Sequence, residues 1–463
     1  VTAVDPQPTH QPCSSAPEER LLPGTPTSGE RLPPGSATSE GMLLPGSPAL
    51  RRLQTAVVAA GLAAFAMLYS TQASLPQIAD TFGVDATWSS LTVSVTTGAL
   101  AISVLPMSAL ADRFGPTRVM IVGLMAGCVC VGLGATAPNL PLFLLSRGAA
   151  GLSLSSVVAV AMGHIGDRVH PRAAAAAVGM YVSATSLGGL LGRLVPAGLD
   201  SHGGWRVAVA AVAGVGAVCT AIFALTVPGG VTARRRGAGR QAAGTGGIGG
   251  DERTVGAVGA GRTGGTGRAG ETGAVIRRHL RDPGILRLCG VGMVLMGGFV
   301  ATYNYLTYRL TEAPFRLSSA TIGLVFCAYL AGTVTSTAAG RLTVRLGRRP
   351  VLLGAIAIAL AGLALTVPDT LGCVLVGLVV YTAGFFAAHS VASGWVGARA
   401  VTGRAEASAL YLLGYYLGSS VGGTLIGLAW TAAGWPATVC CVAATQLAAA
   451  LLAPRVEPIP PAS

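Results

Sequence analysis

Two arginines stand inside long apolar runs, where a guanidinium is costly unless it meets a partner, a cavity or water. Arg147 lies in Leu145-Ser-Arg147-Gly-Ala-Ala-Gly151, and Arg193 in Gly188-Gly-Leu-Leu-Gly192-Arg193-Leu-Val-Pro196. A third charged group is a turn between two such runs, Ser108-Ala-Leu-Ala-Asp112-Arg113-Phe-Gly115-Pro-Thr-Arg118. Gly115 permits a tight reversal there. Asp112 can accept hydrogen bonds from a helix N-terminus or a facing arginine, and Arg113 can reach a lipid head group or a carboxylate. Bonds of that kind break and re-form when two bodies rock, which makes a latch. Plainer alternatives stay open. The turn can be a basic loop that only sets topology. Arg147 sits about 10 Å inside its run at 1.5 Å per residue, close enough to snorkel. Arg193 lies nearer an end and can pair with Asp200 or snorkel.

Neutral groups at depth add hydrogen-bonding capacity. Tyr69-Ser-Thr-Gln72-Ala-Ser-Leu-Pro76 ends the first apolar run with polar side chains, and Asn304 stands between Tyr303 and Tyr305. His389 titrates near neutral pH when water reaches it, and is otherwise a hydrogen-bonded core residue. Tyr411, Tyr415 and Tyr416 can stack on a planar ligand or pack helix on helix. Tyr69, Gln72, Asn304, His389 and Tyr415 are therefore candidate cavity residues. No metal-ligand spacing, nucleotide-binding loop or catalytic triad accompanies them, so neither an enzyme nor a cofactor is expected.

Composition says what must hold these groups. Of the 463 residues 51% are hydrophobic and only 11% are charged, against about 25% charged in soluble domains. Mean hydropathy is +0.63, and the charges fall in short connectors. Only helices and closed barrels satisfy their backbone in lipid, and these runs are too long and uniform for the alternating strands of a barrel. An all-α membrane protein follows, with the bilayer as its surroundings. All 31 basic side chains are Arg, and the net charge of +13 lies mostly between spans. A membrane surface explains that better than nucleic acid does. Apart from Cys13, the nine Cys lie in apolar runs and read as small reduced core residues.

Residues 1–50 form a Pro/Ser/Gly-rich tail that cannot bury enough apolar surface to order itself. Met42 precedes Arg51-Arg52, and part of the tail is expected to be untranslated or dispensable. Twelve apolar segments follow, each near the roughly 20 residues a bilayer needs. In the half 51–227 they are 53–72, 89–110, 117–137, 140–163, 173–198 and 205–227. In the half 285–454 they are 285–307, 318–339, 350–367, 371–393, 406–428 and 434–453, before a short tail at 455–463. The segment 228–284 is Gly/Arg-rich and reads as a flexible linker. Most connector arginines share one side with the termini, while Arg206, Arg309 and Arg316 lie on the other. The positive-inside rule puts both termini and the linker in the cytoplasm.

The charged turn occurs twice. Gly340-Arg341-Leu-Thr-Val344-Arg345-Leu-Gly347-Arg348-Arg349-Pro350 repeats it, with Gly347 lying 232 residues after Gly115. Gly188 and Gly192 correspond to Gly418 and Gly422 at an offset of 230, and Gly204-Trp205 to Gly434-Trp435 at the same offset. Equal spacing in corresponding spans indicates two six-helix halves in parallel repeat.

With these motifs in place, the chain resembles the major facilitator superfamily from about Leu53 to Pro454. The first turn is similar to the superfamily's Gly-x-x-x-Asp-Arg-x-Gly-Arg-Arg/Lys loop, matching at Asp112, Arg113 and Gly115. The second copy keeps Gly340, Arg345, Gly347, Arg348 and Arg349 but has Val344 in the place of the acid. Arg147 and Gly151 resemble the Arg-x-x-x-Gly element of span four, which the family associates with proton coupling. Gly179, Gly188 and Gly192 match the first glycines of the antiporter signature in span five, where Arg193 replaces its Pro. The stretches at 389–395 and 407–423 are similar to the arabinose-efflux-permease-like branch of twelve-span drug:proton antiporters.

The resemblance implies a secondary exporter of small drug-like or sugar-like molecules in a bacterial cytoplasmic membrane. It would work as a monomer by alternating access, driven by the proton gradient. The runs contain no mid-membrane carboxylate, so coupling would use Asp112, Glu406, His389 or an acid on the substrate. An uncoupled facilitator or importer of a neutral solute is the competing expectation. A non-transporting sensor or scaffold has less support, since no signalling domain is appended.

Overall fold

A computed structural model describes residues 42–228, 267–400, 402–453 and 456. Residues 1–41 of the expected tail and 229–266 of the expected linker lie outside the described residues. In the first half the spans are Pro48–Phe82, Ala86–Phe114, Pro116–Ala135, Leu140–Arg168, Ala176–Asp200 and Gly203–Thr226. In the second they are Pro283–Thr311, Ser319–Leu346, Arg348–Leu365 and Leu371–Arg399, then the run Glu406–Leu452. That last run is two spans, because Ala433 and Gly434 leave helical geometry within it. They are called spans one to twelve below. Most run past the apolar limits, since the backbone stays helical until a cap or a glycine stops it. Asp85, Asn139 and Asp282 cap spans two, four and seven through their side-chain oxygens.

The doubled turn has one backbone role. Gly115 ends span two at φ 97° and Gly347 ends span eight at φ 83°, each N–H closing onto a carbonyl four residues back. That left-handed region favours glycine. Gly204 (φ 72°) and Gly434 (φ 64°) repeat the pattern between spans five and six and between spans eleven and twelve. Each half has its own core cluster and the two interlock at the seam: Tyr416 of span eleven packs into the first, and Ala73, Leu75, Ala79, Ala86, Val93 and Ala197 pack into the second. Outward-facing Val122, Val129, Val218, Leu225, Ile358 and Leu451 belong to spans three, six, nine and twelve, which present their apolar sides to lipid.

The described part of two expected boundaries differs. Residues 42–50 are held by a bridge between Leu43 and Val169 and by the cap Ser47 before the helix that starts at Pro48. Within the segment expected to be linker, Gly267–His279 is a helix. His279 at its end lies 3.0 Å from the Gly403 carbonyl.

Two spans are interrupted. Span one leaves α-helix after Leu68, makes a tight turn over Gln72–Ser74 and resumes at Leu75. Pro76, which lacks an N–H, suits the first turn of the new helix and not the interior of a continuous one. Span eight makes a similar tight turn over Phe326–Ala328.

Candidate functional site

The interruption of span one is where the sequence candidates converge. Arg147 reaches it from span four and is fully buried. Its Nη2 donates to the Leu68 carbonyl at 2.7 Å and its Nη1 to Met67 O and Ser70 Oγ at 3.1 Å each. Its Nε donates to Thr92 O of span two at 3.2 Å. A broken helix leaves carbonyls without amide partners and a partial negative charge at its C-terminal end. Arg147 supplies both the donors and the opposite charge, so it does not snorkel. Gly151, one turn on, brings span four against span two so closely that a Cβ there would overlap the Thr96 carbonyl.

Arg193 approaches the same turn from span five and is also buried. Its Nε donates to Gln72 Oε1 at 2.7 Å, Nη1 to Gly189 O at 2.6 Å and Nη2 to the Tyr329 hydroxyl at 3.2 Å. The guanidinium lies 4.1 Å from the Tyr69 ring centroid, 4.6 Å from Tyr329 and 5.3 Å from Phe326. Gln72 Nε2 then donates to Asn304 Oδ1 of span seven at 2.7 Å. One buried row, Arg193–Gln72–Asn304, therefore crosses from the first half to the second. The expected pairing of Arg193 with Asp200 is absent, and so is snorkelling. Asp200 is itself buried and accepts from Ser74 Oγ at 2.8 and 3.1 Å.

His389 and Tyr415 belong to a neighbouring group. His389 Nδ1 lies 2.9 Å from the Tyr411 hydroxyl, and its ring is 4.6 Å from that of Tyr415. Phe385 links His389 to Phe299, and Phe299 meets Tyr329 edge-on at 5.4 Å. His389 and Tyr415 thus connect to Arg193 through rings. Tyr411 and Tyr416 are packed helix contacts.

The latch residues stand apart. Asp112 and Arg113 are exposed, and among the described residues neither makes a hydrogen bond or an ion pair. In the second copy Arg345 is exposed, Arg348 is half-buried, and Arg349 donates to Val456 O at 3.2 Å. Gly340 is an ordinary helical position with open space beside it. Of the interface glycines, a Cβ on Gly188 would lie 2.6 Å from Leu62 O, and one on Gly192 would overlap Ala66 O. Gly418 and Gly422 press span eleven onto span seven at Met293 and Gly297 in the same way, whereas Gly179 faces open space.

The halves are sealed at the Arg-poor end. Thr87 meets Thr431 at 3.0 Å, Tyr305 donates to Ser90 at 3.0 Å, Gln77 to Ser319 at 3.0 Å and Tyr308 to Leu75 O at 2.9 Å. Beyond that seal a cavity of about 550 Å³ is lined by Asp80, Asp85, Glu312, Asp369, Trp430 and Trp435. At the Arg-rich end Asp112, Phe114, Val344 and Arg345 are exposed. Asp200 was singled out only as a partner for Arg193, and Ser74, Phe326 and Tyr329 were not singled out from the sequence, where no local signal marks them. Their partners are contacts between distant segments.

A repeated helical bundle with a polar row on its seam and a seal at one end defines a class, the membrane transporters of two six-span halves. The family model described as Major Facilitator Superfamily matches residues 57–314. The inner membrane transport protein YnfM of Escherichia coli is 35% identical over 410 residues, covering 89% of this chain and 91% of that one. The uncharacterized MFS-type transporter YybF of Bacillus subtilis is 31% identical, covering 84% and 89%. Among solved structures, an inward-facing bacterial homologue of the human lysosomal transporter Spinster aligns with a TM-score of 0.62 at 15% identity, covering 89% and 95%. That last likeness concerns the fold. The chain belongs to the major facilitator superfamily and is a membrane transporter.

Proposed function

We propose that this transporter exports small drug-like or sugar-like molecules from a bacterial cytoplasm by alternating access with proton antiport. The observation that carries the reading is the Arg193–Gln72–Asn304 row. It lies on the seam, draws on both halves, and must loosen when they rock apart at the sealed end. With the Arg-rich connectors in the cytoplasm, both termini are cytoplasmic and the seal is the outer one. The similarity to a protein named as an inner membrane transport protein supports that membrane.

Antiport needs a titratable group coupled to the moving parts. Among the described residues Asp200 is the buried acid. It is held by Ser74, two residues from Gln72 in the same tight turn. We assign it the proton, because gaining one weakens its hold on a turn that also carries the seam contact. Asp112 serves as the latch of the inner end, unlatched in this conformation.

The test uses inside-out vesicles from cells overproducing the protein, with an imposed pH gradient and a broad panel of toxic compounds and sugars. An exported compound should release protons in the wild type, and Asp200→Asn should move it without proton release. Proton release that persists in Asp200→Asn removes that residue from coupling. A panel in which no compound changes accumulation or proton flux overturns the export reading. The competing reading, uncoupled passage of a neutral solute, draws on the absence of a carboxylate from the middle of the runs. It predicts movement down a gradient with no proton flux even in the wild type.

A further inference from the structure

We propose that the seam row ends in a site for an anionic group, in the first place a carboxylate, carried by the transported molecule. This rests on the reading of the chain as an alternating-access transporter and names its substrate class.

The direction of the row is dictated by Arg193. A guanidinium only donates hydrogen bonds. Gln72 must therefore turn Oε1 toward Arg193 Nε, at 2.7 Å, and is left with Nε2 facing Asn304. Asn304 must receive that amide with Oδ1, so its own Nδ2 points onward. Which way each amide lies is usually settled only by its surroundings, and here the positive charge at one end settles both. Asn304 Nδ2 is buried and has no partner. Ser94 Oγ of span two is likewise buried without a partner.

These two unpartnered atoms border the same space. A Cβ placed on Gly423 of span eleven would lie 3.1 Å from Val300 Cγ1, 3.2 Å from Ser94 Oγ and 3.7 Å from Asn304 Nδ2. Spans two, seven and eleven thus close tightly around two hydrogen-bond donors in this conformation, and the point between them opens to a ligand only when the halves move apart. Buried polar groups are nearly always partnered, and an unpartnered one carries its full desolvation cost. An acceptor atom entering between them satisfies both.

Charge makes that acceptor an anion. Arg147 meets the carbonyl end of a helix, so its charge is opposed within the fold. Arg193 meets an amide oxygen, a backbone carbonyl, a hydroxyl and three ring faces. The ion pairs among the described residues are Arg309–Asp369 and Arg399–Asp282, and neither involves it. A buried cation without a counter-ion is destabilising unless an anion joins it. A cationic ligand would meet an unopposed guanidinium and the donor end of its relay. Val300 Cγ1, 3.1 Å from the same point, is an apolar wall beside the two donors and suits a carboxylate with an apolar body.

The test is ligand-induced thermal stabilisation of the purified full chain in detergent. The probes are benzoate, benzamide and benzylamine, with 2-naphthoate and its amide and amine counterparts. The carboxylates should raise the unfolding temperature, the amides less and the amines not at all. Asn304→Asp keeps an oxygen for Gln72 and replaces the free donor with a carboxylate oxygen, so it should weaken carboxylate binding at least tenfold. Arg193→Gln should do the same, and Arg193→Lys, which still only donates, should retain part of the response. Ser94→Ala gives a second, milder variant should Asn304→Asp fail to fold. Stabilisation of the wild type by the amines, no response to any carboxylate, or a carboxylate response undiminished in all these variants overturns the proposal. Efflux of cations alone in the vesicle panel would defeat this substrate class and leave the transporter reading standing. Absence of efflux for every compound would instead count against export.

Discussion

Arg147 Nη2 donates to the Leu68 carbonyl at 2.7 Å, so a side chain of span four closes a helix belonging to span one. The tight turn that follows presents Gln72 to Arg193 and Ser74 to Asp200. One buried arginine thereby positions the segment that carries the seam contacts, and the second takes part in them. Replacing Arg147 by Met removes the donors and leaves buried carbonyls unpartnered. We expect a loss of about 3 kcal/mol, read as a lower unfolding temperature in detergent. Arg147→Lys should recover only part of it, since one ammonium cannot reach carbonyls of both spans one and two.

The glycines separate cleanly by what surrounds them. Gly192→Ala and Gly418→Ala place a methyl group against the Ala66 and Met293 carbonyls. Each should destabilise by about 1–3 kcal/mol, as overpacking does. Gly179→Ala meets open space and should be neutral or stabilising by up to about 1 kcal/mol from helix propensity. Parallel thermal melts of the three variants decide this.

Gly115 and Gly347 are constrained by backbone geometry, with φ of 97° and 83°. Alanine at either position should cost about 1–2 kcal/mol in strain. No Cβ clash arises at Gly115, which has open space beside it, so melts of Gly115→Ala isolate the dihedral effect.

Asp112 makes no ion pair or hydrogen bond among the described residues in this conformation. Asp112→Asn should therefore leave the stability of the state sealed at the Arg-poor end unchanged. It should also raise the population of that state at the expense of the opposite one, because only the latter uses the latch. Solvent accessibility of a cysteine placed at Phe114 reports the shift, and unaltered accessibility would argue for a loop that sets topology alone.

The architecture was legible because lipid imposes long apolar helices, and because a duplicated bundle repeats its glycines at one offset. Gly115 with Gly347 and Gly204 with Gly434 carry the same positive φ in both halves. Arg147 and Arg193 were legible as groups in need of partners. Which partners was not, since Arg193 and Gln72 are separated by 121 residues and Gln72 and Asn304 by 232. Asp200 looked like an outer-end acid beside an arginine, and only the broken geometry of span one brings Ser74 to it. The helix Gly267–His279 was hidden by glycine and charge, a composition that resembles linker on either side of it.

The central claim is that the halves alternate between sealing one end and sealing the other. Pulsed electron–electron spin measurements on two label pairs test it, in chains whose native Cys have been replaced. One pair is Thr87→Cys with Thr431→Cys, whose hydroxyls meet at 3.0 Å in the seal. The other is Phe114→Cys with Val344→Cys at the Arg-rich end, where both side chains are exposed. The account predicts two populations at each pair, with opposite responses to pH and ligand: when the first distance lengthens, the second shortens. A single unchanging distance at both ends, or both distances lengthening together, would contradict it.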